Sequence, residues 1–140
     1  MGQNSAVSSL WKQIKEEAVK TSASEPVLAK YLNDNVISHD SLFSSLSSLL
    51  ASKLKSEALT GLVLQNIFDD ALSSNEKIQK TIHIDIKALI ERDSACHSCL
   101  SAFIYYKGLH ALQAWRVTNL LWNDERRSLA DQTLIRSALA

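Results

Sequence analysis

The chain has 140 residues, 46% of them hydrophobic and 21% charged, and 15 basic against 15 acidic side chains leave a formal net charge of +0. That length suits one domain with a real core, and the composition suits a soluble globular protein, not a disordered tail. Without a basic surplus or a polybasic cluster, neither a nucleic acid nor a membrane surface is an expected partner.

Three Gly and one Pro are too few for tight hairpins, which points to helices. Residues 1–8 are small and polar and read as a flexible N-terminus. From Ser9 onward, Leu10, Trp11, Ile14 and Ala18 recur at helical spacing. Ser22 to Pro26 ends this first helix and starts another, with Ser24 as a candidate cap and Pro26 in the new first turn. Leu28, Tyr31, Leu32 and Val36 mark the second apolar face.

His39-Asp40-Ser41 forms the next boundary. Leu42, Leu46, Leu49, Leu50 and Leu54 then hold strict helical phase, and Ser44, Ser45, Ser47 and Ser48 are assigned to the opposite face. A fourth helix is expected over Leu59 to Leu72, with Leu64, Ile67, Phe68 and Ala71 inward. Ser73 and Glu76 have capping-box spacing for the fifth helix. Short loops throughout predict an all-α, compact bundle of about six to eight helices.

Two polar positions stand on apolar faces. The fifth helix carries Ile78, Ile82, Ile86 and Leu89, and Asp85 projects about 20° from the line of Ile78 at ~100° per residue. A carboxylate placed inward needs a cation, donors or a polar cleft. It is either a structural partner of Arg116 or Lys107, or a group presented to a cationic or hydroxylic ligand. After Gly108 the helix is apolar almost all round, through Ala111, Leu112, Ala114, Trp115, Val117, Leu120, Leu121 and Trp122. Such a helix is covered by neighbours in its own chain or in another. Gln113 and Arg116, at i and i+3, can bond each other or anchor a carboxylate.

His110 lies on this helix without a nucleophile–base–orienter set and reads as a core or interface histidine. Cys96 and Cys99 form a single C-x-x-C around His97, without the second ligand pair of a zinc site. Two reduced, partly buried thiols are the expectation, and no metal is assigned. No apolar run reaches the ~18–20 residues of a membrane span. The opening Met1-Gly2-Gln3-Asn4-Ser5-Ala6 fits neither a signal peptide nor a myristoylation signal, so a cytoplasmic location is expected.

Five segments, in order, resemble serine acetyltransferases. They are Leu10 to Ala18, Glu25-Pro26-Val27-Leu28-Ala29, Ser38 to Leu42 with Leu50 to Leu54, Asp85-Ile86-Lys87-Ala88 with Glu91-Arg92-Asp93, and Tyr106 to Ala130. The resemblance implies residues 9–140 as the N-terminal helical domain of that family, with an atypical end at 131–140 and without the family's left-handed β-helix. It implies transfer of an acetyl group from acetyl-CoA to L-serine, toward cysteine. It further implies homo-oligomer contacts (trimers, and dimers of trimers) and a serine-binding carboxylate, which by motif position is Asp85. No cofactor is expected on this segment, acetyl-CoA being the family co-substrate. The 140 residues alone are expected to be inactive, since the catalytic histidines and the acetyl-CoA groove have no counterpart in them. The alternative is a stand-alone, non-catalytic helical module that pairs with a full-length homologue. Ser94 stands where the resemblance leads one to expect proline.

Overall fold

The computed structural model describes residues 2–92, 98–123 and 125–131, with side chains from residue 8. Among them are the α-helices α1 (Gly2–Ser24), α2 (Ala29–Leu32), α3 (Leu42–Leu54), α4 (Gly61–Ser73), α5 (Glu76–Arg92), α6 (Cys99–Tyr105) and α7 (Lys107–Asn123), and residues 127–131 are helical as well. A 3-10 turn, Pro26–Leu28, precedes α2, and a π turn, Asn33–Ile37, follows it. No strand occurs among the described residues, in line with the composition's pointing to helices. Cys96, His97, Ser94 and residues 132–140 lie outside the described residues.

The helical backbone of α1 starts at Gly2, upstream of the apolar periodicity that begins at Leu10. Ser24 does not cap the following turn. Its hydroxyl donates back to the Thr21 carbonyl at 3.2 Å, and Glu25 occupies the N-cap position. Pro26 does open the new turn, where its missing N–H costs nothing. Of the second apolar face, Leu32 and Val36 are buried, whereas Tyr31 is exposed because the chain changes helical type on either side of α2.

α3 is the centre of the molecule. All five leucines of its stripe are buried, and it packs along α4 on one side and against the π turn on the other. Being covered on both sides, it also buries Ser45 and Ser47, so the face opposite the leucine stripe, to which they were assigned, is partly core as well. Burying a hydroxyl requires a bond. Ser47 donates to the Phe43 carbonyl at 2.9 Å and Ser45 to the Asn35 carbonyl at 2.5 Å. Ser48 reaches Asn35 Oδ1 at 2.9 Å, and Asn35 Nδ2 donates to the Tyr31 carbonyl at 3.0 Å.

Caps define the remaining ends. Ser41 and Thr60 accept from the N–H groups of Ser44 and Val63 at the starts of α3 and α4. The cap of α5 is Asn75, whose Oδ1 accepts from the Ile78 N–H at 3.0 Å, and not Ser73. The Ser73 hydroxyl is turned back to the Asp69 carbonyl. Glu17 in α1 accepts from the Leu100 N–H at 2.8 Å and so ties α1 to the first turn of α6.

Phe68 in α4 is fully buried, while Leu62 on the same helix is 71% exposed. Phe68→Ala should cost about 3–5 kcal/mol in urea unfolding. Leu62→Ala should stay within about 0.5 kcal/mol. Similar losses for both would contradict this packing.

Candidate functional site

The candidate site lies where α5 meets α7. Ile82 and Ile86 are fully buried, with Ile78 and Leu89 packed against the same core, which fixes the face that α5 turns inward. Asp85 lies at the edge of that face, its side chain 24% exposed. Opposite it, α7 buries Gln113 completely and holds Arg116 at 18% exposure.

The three side chains form a closed triangle. The Arg116 guanidinium Nη1 donates to Asp85 Oδ2 and, at 2.8 Å, to Gln113 Oε1. Gln113 Nε2 completes it by donating to the same Asp85 oxygen at 3.1 Å. The buried amide is thus satisfied at both ends, and the carboxylate accepts twice through one oxygen. Its second oxygen, Oδ1, has no bond among the described residues. Of the two cations open to Asp85 in the sequence, the structure selects Arg116, since the i, i+3 spacing sets Gln113 and Arg116 on one face. Lys107 instead lines a separate cleft between the end of α3 and the start of α7, with Leu50, Lys53, His110 and Ala114.

His110 is 4% exposed, as expected of a core histidine. Its Nε2 donates to the Phe103 carbonyl at 2.7 Å, which leaves Nδ1 as a bare acceptor. That atom is buried without a hydrogen-bond partner among the described residues. Burial lowers the pKa of His110, the Phe103 bond opposes this, and the Lys53 charge adds to the lowering.

The outer side of α7 is apolar and uncovered. Leu112 is 39%, Trp115 53% and Trp122 46% exposed, with Ala111 beside them. The apolar circumference expected for this helix is real, but this chain covers only part of it. No group of three metal-ligating side chains gathers among the described residues. Nor, among them, is any helix long and apolar enough to cross a membrane.

The family profile described as the N-terminal part of serine acetyltransferase matches residues 10–114. The chain belongs to the serine acetyltransferase family. Serine acetyltransferase 4 of Arabidopsis thaliana is 39% identical over 127 residues, 91% of this chain and 36% of the relative. The Haemophilus influenzae serine acetyltransferase is 36% identical over 121 residues, 86% of this chain and 45% of the relative. A soybean serine acetyltransferase solved in complex with serine superposes with a TM-score of 0.92 at 41% identity, covering 95% of this chain and 55% of that one. A Neisseria gonorrhoeae serine acetyltransferase, also in complex with serine, gives 0.90 at 40% identity, covering 92% and 54%. The chain therefore spans less than half the length of these curated relatives and matches the helical N-terminal domain of serine acetyltransferases.

Two stability tests follow for this serine acetyltransferase domain. Asp85→Ala should destabilise it by about 1–3 kcal/mol, between the values for exposed and buried ion pairs, with clear coupling to Arg116→Met in a double-mutant cycle. Coupling near zero would show that the triangle contributes nothing. For His110, the folded pKa lies below the ordinary 6.5. On acidification the unfolded chain takes up this proton first, so stability falls as pH drops from about 6.5 toward the lower folded value. The thermal midpoint should decline across that window, and His110→Gln should flatten the decline.

Proposed function

We propose that the chain forms the helical N-terminal domain of an enzyme that transfers the acetyl group of acetyl-CoA to the hydroxyl of L-serine. The observation that carries this reading is the match of 95% of the chain, at a TM-score of 0.92, to a serine acetyltransferase holding serine. Within such an enzyme the domain contributes architecture first. Asp85, Gln113 and Arg116 lock α5 to α7, and the uncovered face of α7 around Leu112 and Trp115 supplies homo-oligomer contacts. Large exposed apolar faces are costly in water and mark interaction surfaces.

Contact between Asp85 and L-serine is the second reading. It is favoured by the partial exposure of the carboxylate and by Oδ1, which has no bond among the described residues and is open to an ammonium or a hydroxyl. Asp85→Asn in a full-length enzyme separates the two roles. A serine contact predicts a KM for serine raised about tenfold or more on top of whatever melting temperature the triangle loses, the loss of one charge-assisted bond at ~1.5–3 kcal/mol. Lost stability with an unchanged KM leaves Asp85 as a structural partner only.

The 140 residues by themselves are proposed to be inactive, lacking the general base and the acetyl-CoA groove. Any acetyl-CoA-dependent formation of O-acetylserine by the purified chain, above a heat-denatured control, would refute this. The α7 face also suits a non-catalytic module that pairs with a full-length homologue. Sedimentation of a mixture tests that alternative, which mixed assemblies would support and independent migration would remove. Replacing Leu112 and Trp115 with Ser in the full-length enzyme should lower its assembly mass. An unchanged mass would place the oligomer contacts elsewhere.

A further inference from the structure

The turn between the π turn and α3 holds a pair that the domain's architecture does not explain fully. His39 Nδ1 lies 2.8 Å from Ser44 Oγ, and His39 Nε2 lies 2.9 Å from the backbone carbonyl of Asp34. A carbonyl oxygen only accepts, so Nε2 carries the ring proton of the neutral imidazole. Nδ1 is then the bare nitrogen, and the Ser44 hydroxyl must donate to it. The tautomer is set by the backbone, and its direction is that of a base drawing on a hydroxyl.

Three further features act on the same oxygen. Ser44 occupies the first turn of α3, whose N-terminus is fixed by Ser41 accepting from the Ser44 N–H at 3.1 Å. The positive end of the helix dipole therefore lies where negative charge would build. Ser44 and His39 are both only partly buried, whereas Ser45 and Ser47 of the same helix are fully buried. The Ser45, Ser47 and Ser48 hydroxyls are bound to carbonyl oxygens, so none of them donates to a base. Among these four serines of α3, Ser44 alone combines access with a basic partner.

We propose that Ser44 is a nucleophilic hydroxyl that accepts an acyl group from an activated ester, with His39 as its general base and the Asp34 carbonyl holding the imidazole. In the step, Ser44 Oγ bonds to the ester carbonyl carbon while its proton passes to His39 Nδ1. The bond from that carbon to the leaving oxygen then breaks, and the departing group takes the proton from His39. The products are O-acyl-Ser44 and a free alcohol or phenol, with His39 neutral again. The inference is independent of serine acetylation, because the donor is any activated ester and the site is remote in sequence from the α5–α7 triangle.

The test treats the 140-residue chain with p-nitrophenyl acetate and maps acetylated residues by mass spectrometry over time. Hydroxylamine distinguishes serine esters, which it cleaves, from lysine amides, which it leaves. Ser44 should acquire a hydroxylamine-labile acetyl group at least about tenfold faster than in the urea-unfolded chain, and His39→Gln should slow it about a hundredfold, at the low end for general-base catalysis. Labelling of Ser44 no faster than in the unfolded chain would overturn the proposal. If His39→Gln disturbs folding, Ser44→Cys supplies a second readout in the folded protein. Its alkylation by iodoacetamide should exceed that of a Ser48→Cys control by about tenfold or more. Equal rates would also overturn it.

Discussion

A helix buried on both sides has to dispose of every polar group it carries, and α3 sets that condition for the whole domain. Its leucines fill the core toward α4, while two of its serines, Ser45 and Ser47, are buried as fully as the leucines. Hydroxyls buried there need acceptors that water cannot provide. Asn35 meets most of the demand, with its carbonyl taken by Ser45 and its amide oxygen by Ser48. Asn35 belongs to the closing turn of its own helical segment, where carbonyls lack intrahelical partners. The chain ending of one element thus satisfies the interior of the next. The π turn that presents Asn35 is part of the solution, since a change of helical type there re-aims these groups.

The triangle of Asp85, Gln113 and Arg116 obeys the same rule at a different place. A half-buried carboxylate beside a fully buried amide is tolerable only when the donors and acceptors close on one another. Here they do, and α5 and α7 are held in register as a result. By contrast, Leu112, Trp115 and Trp122 leave apolar surface uncovered on the far side of α7. One helix thus carries an internal lock on one face and an exposed apolar surface on the other.

Much of this was legible from residue order, for physical reasons that differ by position. The leucine stripe of α3 and the isoleucines of α5 follow from helical phase alone. The pairing of Asp85 follows from the cost of burying charge, and the choice of Arg116 over Lys107 needed the added geometry of Gln113. Family membership was legible in the ordered segments from Leu10 to Ala130. The burial of Ser45 and Ser47 was not, because it depends on how many neighbours surround α3 and not on α3 itself. The cap of α5 was misplaced at Ser73, because spacing alone does not show that the Ser73 hydroxyl turns back to the Asp69 carbonyl and leaves Asn75 to accept from Ile78. Nor could local spacing reveal the bond from Glu17 to Leu100, whose partners lie far apart in the chain.

That last bond bears on how the protein is made. α1 rests on α6, and its Glu17 accepts from the Leu100 N–H in the first turn of that helix, beside the cap at Ser98. Synthesis runs from the N-terminus at roughly 5–20 residues per second, so the first helix leaves the ribosome seconds before its partner exists. During that interval α1 can pack only on the turns and short helix that follow it directly, and its contact with α6, including the ring contact of Trp11 with Phe103, is still to form. The layer that α1 builds with α2 and the π turn is therefore joined to the rest of the core only after a segment more than eighty residues later has been made, so the order of synthesis and the order of packing differ for this helix.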